Sequence, residues 1–204
     1  MTDPSDLKDQ LCRAIARQGH DTSDFDLNPD VVLAEGRKLR QAGVLIAIGM
    51  HAEGPTVVLT KRSSALKHHP GQIAFPGGKV DAGDKGPVGA ALREAREEIG
   101  LPTDAVDVLG TLTPHETVTS FIATPVVGLI TRPVDFVPEE GEVDEIFEVP
   151  LAHVTTKAHF SVQSRRWRGQ RRAYFTVPWG PYYIWGATAR MLRALADRMA
   201  DDTA

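Results

Sequence analysis

Apolar and polar positions along the chain follow two periods, which together predict an alternation of helices and strands. Apolar residues spaced three and four apart predict amphipathic helices, whereas apolar runs between turn residues predict strands. The predicted elements are helices over 7–18 and 31–41, strands over 44–50 and 56–60, a helix ending before Gly100, strands over 106–112 and 121–129, a hairpin within 160–177 and a helix over 183–199. Strands on both sides of a central helix indicate an α/β layered domain.

The central helix, which Gly100 should end, has two unlike faces. Its apolar stripe should face a core and consists of Val88, Ala91, Leu92, Ala95 and Ile99. Glu94, Glu97 and Glu98 crowd its last turns, and Glu94 and Glu98 share a flank because the helix turns by ~100° per residue. Their repulsion and the negative end of the helix dipole oppose this arrangement. A divalent cation held by the carboxylates would remove the conflict; a solvated acidic surface is the alternative.

Composition narrows the class of protein. The 204 residues suit one domain with extensions, and the net charge of −4 argues against a nucleic-acid partner. A single cysteine, Cys12, excludes an internal disulfide framework and fits a reducing compartment, so we expect a cytoplasmic protein. The polar, acidic N-terminus does not resemble a signal peptide, and no apolar run approaches the ~20 residues that a membrane span needs.

The stretch from Gly78 to Leu101 resembles the signature of the Nudix hydrolases. The matching positions are Gly78, Arg93, Glu94, Ala95, Glu97, Glu98, Gly100 and Leu101. Two departures are an Asp at position 84 instead of Glu, and eight residues instead of seven before Arg93. Both are frequent in the coenzyme A pyrophosphatase branch, and the sequences LTKRSSA (59–65) and GQIAFPGG (71–78) are similar to the extra motif of that branch. Lys67 stands where the branch commonly has Arg.

The resemblance implies an α/β/α sandwich with a mixed sheet, in which the catalytic helix follows a Gly-rich loop. It places a Nudix domain over 41–200, after a helical extension over 1–40. It also implies a homodimer that uses Mg²⁺ or Mn²⁺ to hydrolyse the diphosphate of coenzyme A or its derivatives. Two alternatives stay open: a Nudix pyrophosphatase for another nucleoside diphosphate derivative, such as ADP-ribose, NADH or a dinucleotide, and a catalytically silent ligand sensor. We expect a small-molecule substrate, without nucleic-acid or membrane partners.

The same resemblance assigns roles to individual residues. The expected metal ligands are Glu94, Glu98, Glu97 and Gly78, and the expected catalytic residues are Glu98, Glu97 and Arg93. We expect Arg93 to act mainly through structure, by pairing with Glu97 or by reaching Asp84, which should brace the loop or cap the helix. The expected substrate-binding residues are Lys61, Arg62, Ser63, Lys67 and Phe75.

The identity of the general base and the role of the basic hairpin are left open by the sequence. The base candidates are Glu98, an acid of the run 139–145, and the pair His115–Glu116. The arginines of 165–172 should meet solvent, with an acidic substrate or a partner subunit as alternatives. Core packing is the expected role of Trp167, Trp179, Tyr182, Tyr183 and Trp185, with stacking on an adenine or a dimer contact as alternatives.

Overall fold

The helices and strands lie in the order in which the sequence alternates, within a computed structural model that describes residues 4–167 and 169–200. The helices are α1 (Pro4–Ala16), α2 (Gly86–Ile99), α3 (Leu151–Thr155) and α4 (Ala187–Ala200). The strands are β1 (Thr22–Ser23), β2 (Arg40–His51), β3 (Gly54–Arg62), β4 (Ile73–Ala74), β5 (Gly77–Lys79), β6 (Val106–Thr111), β7 (His115–Glu116), β8 (Phe121–Ile130), β9 (Val143–Pro150), β10 (Ser161–Trp167) and β11 (Gln170–Thr176). No helix of this described part is long and apolar enough to cross a membrane.

Strand β2 lies at the centre of a mixed sheet. It runs parallel to β8, forms an antiparallel hairpin with β3, and pairs through its first residues with β5. The sheet extends through β6 and β7 on β8, through β1 on β7, and through β4 and β9 on β3, so that nine strands of the described part belong to it. Strands β10 and β11 form a separate two-stranded sheet. The mixed sheet implied by the family resemblance is confirmed.

Helices cover both faces of this sheet, because alternate side chains of β2 point to opposite sides. Leu45 and Ala47 pack in one apolar cluster with residues of α2. Ile46 and Ile48 pack in the other cluster with residues of α1, α3 and α4. The three layers confirm the predicted α/β/α sandwich. Because α1 contributes buried residues to the second cluster, it belongs to the same packed body as the sheet.

The position of α2 depends on two glycines: Gly43 of β2, against which the first turn of the helix packs, and Gly100, which follows its last turn. A Cβ on Gly43 of β2 would lie 1.8 Å from the carbonyl oxygen of Pro87, so only glycine permits this contact between strand and helix. At the other end Gly100 has a φ of 68°, and its N–H donates to the Arg96 carbonyl at 3.1 Å. The predicted helix stop and the buried stripe of Ala91, Ala95 and Ile99 are confirmed.

Two of the predicted helices are wrong in whole or in part. Residues 31–39 contain no helix, since Val32 is almost fully exposed and lacks a core to pack against. The closing helix begins at Ala187 rather than at 183. Before it, Trp185 forms a bridge with Thr176 and Tyr182 one with Trp179, so the backbone there is bound to the chain beside it. In the first segment the apolar pattern has no core to pack against, and in the second tertiary contacts override the local pattern.

Candidate active site

Two carboxylates of α2 lie directly against the glycine loop that precedes the helix. The backbone N–H of Gly77 donates a hydrogen bond to Glu98 Oε2 at 3.0 Å. A Cβ on Gly78 would lie 2.4 Å from Glu94 Oε1, and one on Gly77 would lie 2.5 Å from the Gly43 carbonyl oxygen. The absence of side chains at 77 and 78 therefore lets the loop sit between β2 and the carboxylates of the helix.

Burial disfavours the charged forms of these two carboxylates, and Arg93 compensates the charge of Glu94 in part. Glu98 is 5% exposed, and burial raises its pKa to about 7, against the opposing effect of the Gly77 hydrogen bond. Burial also raises the pKa of Glu94, and the charge of Glu94 contributes to the rise at Glu98. Desolvation of two neighbouring acids disfavours their charged forms, so a cation at this point would stabilise both.

Glu97 lies in a different environment from its two neighbours. Its side chain is 57% exposed and accepts a hydrogen bond from Arg93 Nη1 at 2.9 Å. The same nitrogen donates to Glu94 Oε1 at 2.9 Å. Glu97 is therefore held by Arg93 at the surface, while Glu94 and Glu98 face the glycine loop.

Arg93 also anchors the loop through Asp84. Its Nε and Nη2 donate to the two oxygens of Asp84, each at 3.0 Å, and Nη2 also donates to the Lys79 carbonyl at 3.1 Å. This pairing lowers the pKa of Asp84. Asp84 further accepts the Asp81 N–H at 2.8 Å, and the helix has no side-chain cap. The expectation that Asp84 braces the loop is confirmed, and the alternative of a helix cap is wrong.

The donor set fits a hard cation held by few protein ligands. Among residues 4–167 and 169–200, no group of three or more His, Cys, Asp or Glu side chains is arranged so that it could hold a metal ion by itself. Glu94, Glu98 and backbone carbonyls of the glycine loop offer oxygen ligands, and Mg²⁺ commonly combines one or two carboxylates with water and substrate phosphate. The ligand roles of Glu94, Glu98, Glu97 and Gly78 stay predictions.

A cavity of about 690 Å³ opens on the glycine loop, and both cationic and aromatic side chains contribute to its lining. Its charged lining residues are Arg62, Lys67, Lys79, Arg165 and Arg172, with Asp24 as the single carboxylate within the described lining. Its aromatic lining residues are Phe75, Phe121, Tyr174 and Trp185. Such a lining suits an anionic ligand with an aromatic group. The concentration of cations is notable because the whole chain is acidic.

Three of the five expected substrate-binding residues line this cavity, namely Arg62, Lys67 and Phe75. Lys61 and Ser63 are not part of the lining. Ser63 is buried, donates its N–H to the Glu142 carbonyl at 2.8 Å, and accepts the Ala65 N–H on Oγ at 3.3 Å. Its contacts therefore bind the turn after β3 to the chain before β9.

The acidic run 139–145 folds close to the site, and its members differ in their partners. The Glu139 N–H donates to the Glu98 carbonyl at 2.9 Å, and the charge of Glu142 raises the pKa of both Glu94 and Glu98. Asp144 accepts the Ser64 N–H at 2.9 Å, and Glu145 accepts the Tyr182 hydroxyl. Glu142 is thus the acid of the run that acts electrostatically on the paired carboxylates.

The pair His115–Glu116 is not available as a base. His115 is fully buried, with Nδ1 2.9 Å from Thr22 Oγ1 and Nε2 3.2 Å from Asp24 Oδ1. Glu116 forms a salt bridge with Arg37. These contacts attach β7 to the segment that contains β1, so the hypothesis of a base at 115–116 is wrong.

The cavity contains residues whose role the sequence did not indicate. The segment 117–119 lines it, and no sequence motif distinguishes that segment. Gln72 lines it as well and lies within the motif 71–78, although it was not among the expected substrate-binding residues. Arg165 and Arg172 also line it, whereas the sequence predicts solvent contact for the arginines of this hairpin. Tyr174 of β11 and Trp185 line the cavity too, and the centroids of their rings lie 5.1 Å apart in an edge-on contact. The repeated arginines are visible in the sequence, but only the pairing of β10 with β11 shows that Arg165 and Arg172 share the face that lines the cavity.

The layered sheet, the glycine loop and the carboxylate helix are the parts of a hydrolase that acts on phosphoric anhydrides. A family model described as the NUDIX domain matches residues 38–168, and the chain belongs to this family. The resemblance stated from the sequence is therefore confirmed at the level of the family. Its members generally use divalent metal ions and act on small nucleoside diphosphate derivatives.

Curated relatives and one solved structure agree with this assignment. The uncharacterized Nudix hydrolase NudL of Cronobacter sakazakii is 42% identical over 157 residues, which cover 77% of this chain and 81% of the relative. The protein of the same name from Pectobacterium atrosepticum is 41% identical over 177 residues, covering 87% and 92%. A MutT/nudix family protein from Enterococcus faecalis has a TM-score of 0.53 at 14% identity, over 98% of this chain and 76% of that one, and so shares the fold.

Proposed function

We propose that this chain hydrolyses the diphosphate of coenzyme A or its derivatives, giving 3′,5′-ADP and 4′-phosphopantetheine products. The observation that carries the proposal is the junction of the Glu94–Glu98 pair with a cation-lined cavity at Gly77 and Gly78. The similarity of 59–65 and 71–78 to the coenzyme A pyrophosphatase motif supports this substrate. In the reaction, water adds its oxygen to one phosphorus, the bridging P–O bond breaks, and each product carries one phosphate group from the diphosphate.

Each part of the site has a separate task in this proposal. Glu94 and Glu98 would hold Mg²⁺ or Mn²⁺, which neutralises diphosphate charge and lowers the pKa of water when bound. Arg93 positions Glu94 and, through Asp84, the loop. Arg62 and Lys67 attract the phosphates from the cavity wall. The proton of the attacking water would pass to Glu98 or to Glu142, whose charge acts on both Glu94 and Glu98.

A hydrolysis panel tests the substrate. We expect metal-dependent release of 3′,5′-ADP from coenzyme A, with kcat/KM at least about 10-fold above that for ADP-ribose, NADH and diadenosine tetraphosphate. Mass analysis in H₂¹⁸O identifies the phosphorus that water attacks. A preference for another nucleotide in the panel would overturn the coenzyme A assignment while retaining a pyrophosphatase. No turnover of any of them with Mg²⁺ or Mn²⁺, combined with nucleotide binding, would indicate a silent sensor.

The proton acceptor is tested by Glu142→Gln. Glu142 is exposed, so this change should leave the fold intact. If Glu142 takes the proton, kcat should fall by about 100-fold while metal affinity changes little. The matched control is Glu140→Gln, an exposed acid of the same run. An unchanged kcat in Glu142→Gln would assign the proton to Glu98.

A further inference from the structure

The two-stranded sheet of β10 and β11 places arginines directly opposite one another. Arg165 pairs in register with Arg172, and Arg166 pairs with Arg171. Two arginines in register bring their charges together on one face of the sheet, which favours an anion bound beside them. Side chains alternate between the two faces of a strand, so the pair 165/172 and the pair 166/171 point to opposite faces.

Only one of these two faces lines the cavity. Arg165 and Arg172 belong to its wall, whereas Arg166 and Arg171 are exposed outside it. Arg171 donates a hydrogen bond from Nε to Ser164 Oγ at 2.7 Å. The hairpin therefore contributes two guanidinium groups to the cavity, and its other face provides an internal control of equal charge.

Trp185 fixes the orientation of Arg165. The guanidinium carbon of Arg165 lies 4.1 Å from the centre of the Trp185 ring, close enough for a cation–π contact. Tyr174 packs against the edge of the same ring. Within the described residues no carboxylate forms a salt bridge with Arg165, so its hydrogen-bond donors are available to a ligand. A guanidinium held in this way matches the geometry of a phosphate group, which it binds through two parallel hydrogen bonds.

The glycine loop and the hairpin contribute to the same cavity from different parts of the chain. Gly77 and Gly78 line it where the diphosphate would meet Glu94 and Glu98. Lys67 and Arg62 line it as well, so the cationic lining exceeds what the two charges of a bound diphosphate require. A ligand that matches this lining carries a further phosphate besides its diphosphate, and an aromatic base that can stack in the region of Tyr174 and Trp185.

We propose that Arg165, positioned by Trp185 and assisted by Arg172, binds a phosphate monoester on the ribose of the substrate and so selects 3′-phosphorylated nucleoside diphosphates. This inference rests on the proposed function and names the residues that set its substrate class. Arg165 is a specificity-determining residue, since it acts on a group remote from the bond that breaks.

The test compares coenzyme A with dephospho-coenzyme A, which lacks only the 3′-phosphate. The wild-type protein should prefer coenzyme A in kcat/KM. Arg165→Ala should lower kcat/KM for coenzyme A by about 10- to 100-fold, mainly through KM, and leave that for dephospho-coenzyme A nearly unchanged. Arg166→Ala removes the same charge from the other face of the hairpin and should leave both values near wild type. If Arg165→Ala and Arg166→Ala lower kcat/KM for coenzyme A equally, the effect is general charge attraction and the inference is overturned.

Binding measurements separate this inference from the proposed function. Calorimetry should show tighter binding of 3′,5′-ADP than of 5′-AMP to the wild-type protein, and Arg165→Ala should abolish the difference. If coenzyme A and dephospho-coenzyme A are both cleaved with equal efficiency, the inference fails and the proposed function stands. If coenzyme A is not cleaved but the Arg165-dependent preference for 3′,5′-ADP is found, the proposed reaction fails and the phosphate site stands.

Discussion

The backbone N–H of Gly77 donates a hydrogen bond to Glu98 Oε2 at 3.0 Å, and this contact joins the glycine loop to the carboxylate helix. It fixes one oxygen of a buried acid against Gly77, which lines the cavity. The adjacent Gly78 has no side chain, and this leaves the space that the Glu94 carboxylate occupies. The groups that meet at this loop can each be changed separately by substitution.

Removal of the Glu98 charge should stop turnover and stabilise the metal-free protein. The folded-state pKa of about 7 exceeds the ordinary value of 4.5, so the folded protein binds more protons between these pH values. The free energy of unfolding therefore falls as pH rises from about 4.5 to about 7, by up to about 3 kcal/mol. The amide oxygen of Glu98→Gln can still accept the Gly77 N–H, but the side chain does not ionise, so the variant should not show this loss of stability. Its kcat should fall by at least about 100-fold.

The measurement is thermal unfolding at pH 5 and pH 8 with EDTA present. Glu98→Gln should unfold at a higher temperature than wild type at pH 8, with little difference at pH 5. Glu97→Gln is the matched control, because Glu97 is largely exposed. A wild-type protein whose stability does not decrease between these pH values, relative to Glu98→Gln, would contradict the prediction.

Divalent metal should stabilise the protein through Glu94 and Glu98 more than through Glu97. Binding to the folded state raises the free energy of unfolding by about 2.7 kcal/mol when the metal is at 100 times its Kd. We expect Mn²⁺ to raise the unfolding temperature of the wild type and of Glu97→Gln, and to raise that of Glu94→Gln much less. A titration followed by Mn²⁺ paramagnetic resonance gives the affinities directly. Equal affinity in Glu94→Gln and wild type would remove Glu94 from the ligand set.

A methyl group at position 78 should displace Glu94. The added Cβ of Gly78→Ala would lie 2.4 Å from Glu94 Oε1, so the carboxylate or the loop must shift. We expect metal affinity and kcat/KM each to fall by about 10-fold or more, with a small change in stability. Gly83→Ala is the control in the same loop, since its Cβ would meet no atom within 4 Å. Near-wild-type activity of Gly78→Ala would show that the Glu94 position is not critical.

Replacement of Arg93 by lysine should separate its charge from its geometry. The guanidinium binds both oxygens of Asp84 as well as Glu94 and Glu97, and an ammonium group cannot reproduce this set. We expect Arg93→Lys to lower stability by about 1–3 kcal/mol and kcat by about 10-fold or more. Arg96→Lys, on an exposed position of the same helix, should have little effect on either. Chemical unfolding and steady-state kinetics measure the two quantities.

The sequence was informative where contacts are local. The apolar stripe of α2 and its stop at Gly100 follow from the helical period and from the left-handed backbone that glycine adopts. The pairing of Arg93 with Glu97 follows from one-turn spacing. The short strands β4 and β5 could not be predicted, because two or three residues acquire strand geometry only from hydrogen bonds to β3 and β2.

The sequence by itself determined the family, the order of the main elements and the helix that carries the acids, since these depend on residues close together in the chain. Tertiary structure alone decided that Glu98 is buried against Gly77 while Glu97 remains at the surface. It also decided that Arg165 and Trp185 line the same cavity as Lys67, about a hundred residues earlier in the chain. Burial and long-range register set these relationships, and neither is encoded in the spacing of residues along one element.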